Sequence, residues 1–533
     1  MRKKNGAIFM VTTFKYAILF IAFVLITNLN WAQIGTPDNL DVIYGKEIKN
    51  NKSEPISKVL GADESGCYVL GKSGDEITIY YYSKKLTLVR KKMTVLVDKG
   101  ITYEYIGVYE LGDQFVLLTS YVDKKNKVSY LYSHALNKER LTFSAPNQLL
   151  AISYVGFKRN QYPQFNVGSS ANLNYLLITS DLPRAGENAT RLGMLMLNKN
   201  MNVDWRKDSL DIKNNNPYMA KNTVKVGDNG NVYLLAEIIE KVPLGSLPKK
   251  KFQIQVYKKE TDLTEVSPVD MGNKVVNDVT FNYTKDGRFH IVGLYTGKNG
   301  FQKGVINIVM DADNLKVLSK TETDFPADFI AQHMREKEKR KFIKRSGKGK
   351  EIGFSFLQLD RLIENENGSV TMIAEEYRYF QNCYTDFYGA PRCTDNYVYG
   401  NILVMKFNLV GQVEWMDLVP KYQHTTNDGG YYSGYSFSKL KDGAINLIFN
   451  DSPKNNYYEE TTDFYNWVRT SDRTDIVVYN IEEEGKVNRF VLLRGSVEDV
   501  MLRPNLSKQL NDNEVIILGE ERERAHFYKL IYK

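Results

Sequence analysis

Histidine, cysteine and tryptophan are scarce in this sequence of 533 residues, which has five His, three Cys and four Trp. So few His and Cys argue against a His/Cys metal centre or a dense disulfide scaffold. His134, His290, His333, His424 and His526 are scattered, without the paired spacing of a zinc site. Proline is also sparse, 14 residues against 37 Gly, and there is no Gly-x-Ser-x-Gly nucleophile elbow. No catalytic residue, metal or cofactor is expected on these grounds, and a non-enzyme is the favoured reading. After residue 32 no apolar run reaches the roughly 20 residues a spanning helix needs. Strong charge of one sign is missing too. The formal charge of +8 includes Arg2, Lys3, Lys4 and Lys15, and removing residues 1–32 leaves +4. A global nucleic-acid argument therefore fails.

What the sequence has in quantity is aromatic residues, 36 Tyr and 25 Phe, which favour strands. It also has a leader. The basic residues above precede the apolar run from Tyr16 to Ile26, and Asn30-Trp31-Ala32 offers a cut before Gln33. This reads as a signal peptide over 1–32, so the chain is expected in the periplasm, at the outer-membrane surface or outside the cell. Residues 33–533 then form one domain.

A single pattern recurs through that domain: a Gly/Asn/Asp turn, then an apolar strand of five to eight residues. It begins with Glu64-Ser-Gly66-Cys-Tyr-Val-Leu70 and Leu111-Gly-Asp-Gln-Phe-Val-Leu-Leu118. It ends with Lys441-Asp-Gly443-Ala-Ile-Asn-Leu-Ile448 and Asn511-Asp-Asn-Glu-Val-Ile-Ile-Leu518, with four further copies between. The turn residues supply the positive φ of tight hairpins, and the uninterrupted apolar strands fit sheets buried on both faces. Repeats of about 50–80 residues, each with about four strands, are the signature of a β-propeller. The expected fold is all-β, an eight-bladed propeller with seven blades as the alternative. The last copy has strands near 500–503, 514–519 and 526–532 and lacks a fourth. The lone strand 39–44 at the start of the mature chain is expected to dock there and close the ring.

Two turns, Leu197-Asn-Lys-Asn-Met-Asn-Val-Asp-Trp205 and Phe407-Asn-Leu-Val-Gly-Gln-Val-Glu-Trp415, resemble the Trp docking turns of quinoprotein-like propellers. That resemblance implies a propeller, often of eight blades, and nothing about a cofactor. The leader's Ala32-Gln33 end is similar to those of secreted Bacteroidetes proteins. The Ser-x-Asp-x-Gly-x-x-Trp turn of sialidase-like propellers is missing. Gly66-Cys-Tyr-Val-Leu-Gly71-Lys72-Ser73 fits the phosphate-loop formula, but its middle residues read as a strand with no helix after it.

Residues 326–346 break the β pattern and read as an inserted helix. From 335 to 350 the chain carries Arg335, Lys337, Lys339, Arg340, Lys341, Lys344, Arg345, Lys348 and Lys350 against Glu336 and Glu338, a candidate site for an anionic partner. Cys383 and Cys393 flank turn residues, and in an exported chain they read as a disulfide pinning a surface loop. Cys67, within a strand, is expected to be a free buried thiol. Long insertions at 181–190, 239–250, 378–396 and 451–471 all join second to third strands, so they leave one face of the ring. Tyr379, Tyr384, Phe387, Tyr388, Tyr457, Tyr458 and Trp467, with Tyr432 beside them, are the candidate contact residues of that face. The expected function is a non-catalytic protein-binding or scaffold module of the cell envelope, whose partner is an envelope protein or a surface polysaccharide. The alternative is a carbohydrate-binding or glycosidase-like propeller using carboxylates such as Glu375, Glu376, Asp386 and Asp395.

Overall fold

The computed structural model describes residues 33–34, 37–49, 55–98, 100–154, 162–183, 190–210, 219–239, 250–259, 261, 264–458 and 464–533. The expected signal peptide at 1–32 lies outside the described residues, as do 184–189, 240–249 and 459–463 in three of the four insertions.

Each apolar repeat becomes the second strand of its own antiparallel sheet. The eight are Gly66–Ser73, Gln114–Asp123, Tyr175–Pro183, Val232–Ile239, Arg288–Thr296, Val370–Thr385, Ile445–Asp451 and Glu514–Glu521. Their burial explains their composition. Ile445–Asp451 is buried at all seven positions, because both faces of its sheet are covered. The phosphate-loop look-alike is one of these strands, hydrogen-bonded to a neighbour on either side, so it has no free amides to cradle a phosphate.

Among the described residues eight sheets have four or more strands, and their order follows the sequence. Buried apolar clusters join each sheet to the next. A further cluster packs Ile516, Leu518 and Phe527 of the last sheet on Val59, Val69 and Tyr82 of the first. Four-stranded antiparallel sheets packed in this way are the architecture of a β-propeller.

The last sheet departs from the others at both edges. Its first strand is split into Met501–Leu502 and Lys508–Asn511, with a short helical turn, Pro504–Leu506, between them. Its outer strand, Arg524–Tyr532, pairs antiparallel with Leu40–Tyr44 from the start of the chain.

Trp205 and Trp415 bridge neighbouring sheets. The Trp205 indole N–H donates to the Gly230 carbonyl at 3.2 Å, and that of Trp415 to the Glu483 carbonyl at 3.0 Å. Gly485 makes the second contact possible. It adopts φ 90°, and a Cβ there would sit 2.7 Å from the Trp415 ring.

His290 is fully buried in the fifth sheet, where burial pulls its pKa down to about 4. This neutral imidazole is a core group. Cys67 is free and buried.

Candidate functional site

Connections between second and third strands, and those between successive sheets, leave the same end of the ring, called here the upper end. In the sixth and seventh sheets this end is built up far beyond a set of turns. Residues 378–396 form an arm rather than the expected loop. Val370–Thr385 and Pro391–Phe407 run on past the sheet as one long hairpin, with Tyr377 opposite Tyr399, Tyr379 opposite Tyr397, Gln381 opposite Asp395 and Cys383 opposite Cys393.

These four pairs share one face and hold the hairpin straight. The two tyrosine pairs have ring centroids 4.8 and 5.3 Å apart, and the Gln381 amide donates to Asp395 at 3.1 Å. The Cys383–Cys393 disulfide closes the row, with Cα atoms 4.1 Å apart. Cross-strand contacts of this kind are what stabilise a sheet, and here they continue where no core supports it. On the other face the Arg378 guanidinium lies 4.2 Å from the Phe380 ring centroid and 5.3 Å from that of Phe356. Gln423–Thr426 adds a third strand at 396–399, beside the base of the arm.

The turn at the tip follows from Asp386 and Gly389. The Asp386 carboxylate accepts from the amides of Tyr388 and Ala390 and from Arg392, which holds its pKa below the usual range. Gly389 takes φ 80°, which an L side chain resists. Phe387 and Tyr388 are thereby placed at the end of the arm, 98% and 91% exposed.

The other candidate aromatics divide by burial. Tyr379, Tyr384 and Tyr457 are exposed. Tyr432 is part-buried and donates to Glu520 at 3.3 Å. Tyr458 is part-buried and lies 3.0 Å from His333 Nδ1 of the helical insertion. Trp467 is a correction: it is only 2% exposed, its indole N–H donates to Thr474 Oγ1 at 2.8 Å, and its amide donates to the Tyr422 carbonyl at 3.1 Å. It packs the loop, because the neighbouring 420–426 segment folds over it.

Beneath the arm lies a buried polar framework that sequence reasoning missed. Gln423 accepts from the Gly434 amide at 2.8 Å and donates to the Asn450 carbonyl at 2.8 Å. The Asn450 side chain donates to the carbonyls of Tyr432 and Leu502 and accepts from the Leu502 amide, all at 2.8 Å. Asn455 ties Asp451 to Tyr465. Two ion pairs are embedded in it, Lys421–Glu375 at 2.6 Å and Arg489–Asp451 at 3.0 Å. These groups come from segments tens of residues apart, so no local spacing announces them. They lock three sheets' upper connections into one support for the arm.

Glu376 sits at the base of the arm, accepting from the Asn401 amide at 3.2 Å. It is only partly covered by area but surrounded by protein, and this burial pushes its carboxyl up to about 7. The unfolded chain ionises this group near 4.5, while the folded chain keeps it protonated until about 7. The fold therefore loses stability as pH rises through that window. We expect Glu376→Gln to remove about 2 kcal/mol of this pH-dependent loss, allowing for partial exposure. Urea midpoints of both proteins at intervals from pH 4 to pH 8 test this, and parallel profiles would refute it.

At the opposite end, between the first and last sheets, a cavity of about 340 Å³ is lined by residues including Asp63, Cys67, Lys84, Glu514 and Lys529. Burial pushes the Cys67 thiol up to about 12, so it is no nucleophile there. Among the described residues no cluster of His, Cys, Asp and Glu is arranged to hold a metal ion, and no helix is long and apolar enough to cross a membrane.

No protein-family model matches the chain, and no curated protein matches it. Solved structures similar to it include the WD40 domain of SCAP from fission yeast, at 9% identity and TM-score 0.39 over 94% of this chain and 98% of that one. The polysaccharide lyase Uly1 is similar at 9% identity and TM-score 0.37, over 92% and 99%. The Dos1 propeller is similar at 7% identity and TM-score 0.42, over 91% and 94%. The fold described above rests on strand order and packing, not on these likenesses.

Proposed function

We propose that the chain is an exported, eight-bladed β-propeller, closed by Leu40–Tyr44, that serves as a non-catalytic protein-binding module of the cell envelope through its arm. The observation that carries this reading is the tip: Phe387 and Tyr388 stand almost fully in solvent on a hairpin braced by a disulfide and two tyrosine pairs. Covering a large apolar side chain is worth about 1.5–3 kcal/mol, so an exposed pair of rings is a store of binding energy. A rigid arm also loses little entropy on docking. The disulfide and the leader-like 1–32 agree with export.

The test is a pull-down from the native envelope extract with the wild type and with Phe387→Ser/Tyr388→Ser. A stoichiometric protein is expected on the wild type, with at least a tenfold loss in the variant, since losing two anchor rings costs more than 1.4 kcal/mol. No protein on the wild type, or equal recovery on both, overturns the reading. Because the tip touches no core, the variant should melt with the wild type.

A carbohydrate-active reading has one observation in its favour, the high carboxyl pKa of Glu376 next in sequence to Glu375, which itself feels the Asp360 charge. Against it, Glu375 is bound to Lys421, and Asp360 accepts a hydrogen bond from Tyr435. Polysaccharide cleavage by the wild type that Glu376→Gln abolishes would favour it.

A further inference from the structure

The connection between the fifth and sixth sheets carries two helices, Ala327–Ile330 and Glu336–Ser346. The second lies on the surface, held by Phe342 against the core of those sheets, while Lys339 and Ser346 are part-buried. At 100° per residue, positions 339, 342 and 346 share one side of the helix. Lys337, Lys341 and Lys344 fall on the opposite side, and Lys348 continues their line in the turn that follows. All four are exposed, and none of their side chains makes an ion pair or hydrogen bond with the described residues. Arg340 is the neighbour that is paired, with Glu336 at 2.6 Å.

Like charges three and four residues apart weaken a helix. An uninterrupted lysine stripe opposite the packed side is thus a cost to folding, which points to a use outside the fold. Its shape selects the partner. The stripe runs along the outward side of the helix and into its following turn, a convex row about 16 Å long. Lysines are flexible, strongly hydrated point charges, suited to a diffuse plane of negative charge rather than to directional recognition of one sugar or peptide.

We propose that this stripe docks the protein on an anionic lipid surface. The stripe and the arm leave the same end of the ring, so a docked ring holds the arm beside the membrane, where a membrane-held protein partner is within reach. The proposal goes beyond the protein-binding reading and does not depend on it.

The test is co-sedimentation of the exported form with vesicles of phosphatidylglycerol and phosphatidylcholine, and with phosphatidylcholine alone. Binding to the anionic vesicles is expected at low ionic strength and should fall steeply with added salt. Lys337→Gln/Lys341→Gln/Lys344→Gln/Lys348→Gln should weaken it on the order of 10²–10³-fold. The four side chains touch no core and repel one another, so a melting temperature equal to or slightly above the wild type's will show that the variant is folded. Phe387→Ser/Tyr388→Ser should bind vesicles as the wild type does, which separates this proposal from the arm's role. Failure to bind anionic vesicles, equal binding to neutral ones, or undiminished binding by the lysine variant each overturns it. So does preferential binding to a soluble acidic polysaccharide that the lysine variant loses.

Discussion

Lys421→Met should destabilise the protein by about 3–5 kcal/mol, the usual cost of stripping one partner from a buried ion pair. Lys421 is 1% exposed, with Nζ 2.6 Å from Glu375 and 3.3 Å from the Gln423 side-chain oxygen. Removing it strands the Glu375 carboxylate, whose side chain is only 13% exposed. Glu375→Gln in the same chain should restore most of the loss, because two neutral groups of similar shape no longer carry a buried charge. The single variant should also depend on pH with a defined sign. Burial already raises the Glu375 pKa, and without the opposing ammonium it rises further. The carboxyl then escapes its penalty by taking a proton, so the deficit shrinks as pH falls. Urea midpoints for the two variants at neutral and acid pH measure this. A loss below about 1 kcal/mol for Lys421→Met would mean that the pair is solvated like a surface bridge.

Deleting Leu40–Tyr44 should be the more disruptive change. This strand covers the outer edge of the last sheet, pairing Leu40 with Tyr532 and Tyr44 with Tyr528. Leu40 is buried in the cluster between the last two sheets, Val42 packs against that cluster, and Ile43 packs against the one joining the last sheet to the first. Three such side chains are worth about 4–6 kcal/mol of apolar burial together, before the ladder hydrogen bonds are counted. The deletion also uncovers Arg524–Tyr532, a long strand whose free N–H and C=O groups would invite pairing with another chain. Size-exclusion chromatography should show oligomers, and the melting temperature should fall. A monomer that melts with the wild type would show that the ring holds without this strand.

The residues themselves determined much of this architecture. Apolar strands, each behind a Gly, Asn or Asp turn, bury both faces wherever they pack, so the repeated antiparallel sheets were legible locally. The lone strand at 39–44 and the incomplete last copy pointed to each other for the same reason: one edge needs covering and one strand needs a partner. Cys383 and Cys393 announced a bridge across a turn.

The tertiary structure decided what those residues do together. Tyr377, Tyr379, Gln381 and Cys383 alternate with period two, as do Cys393, Asp395, Tyr397 and Tyr399. That alternation is a strand signal, but without aliphatic residues it read as an elaborated loop. Trp467 looked like a contact residue from its neighbours in sequence and is buried by a segment that precedes it by about forty positions. The split first strand of the last sheet, and the framework around Gln423, Asn450 and Lys421, depend on meetings between different sheets. Local pattern follows from each residue's own preference for burial or turn geometry. Such meetings depend on which segments the closing ring brings within hydrogen-bonding distance, and that is a property of the packed whole.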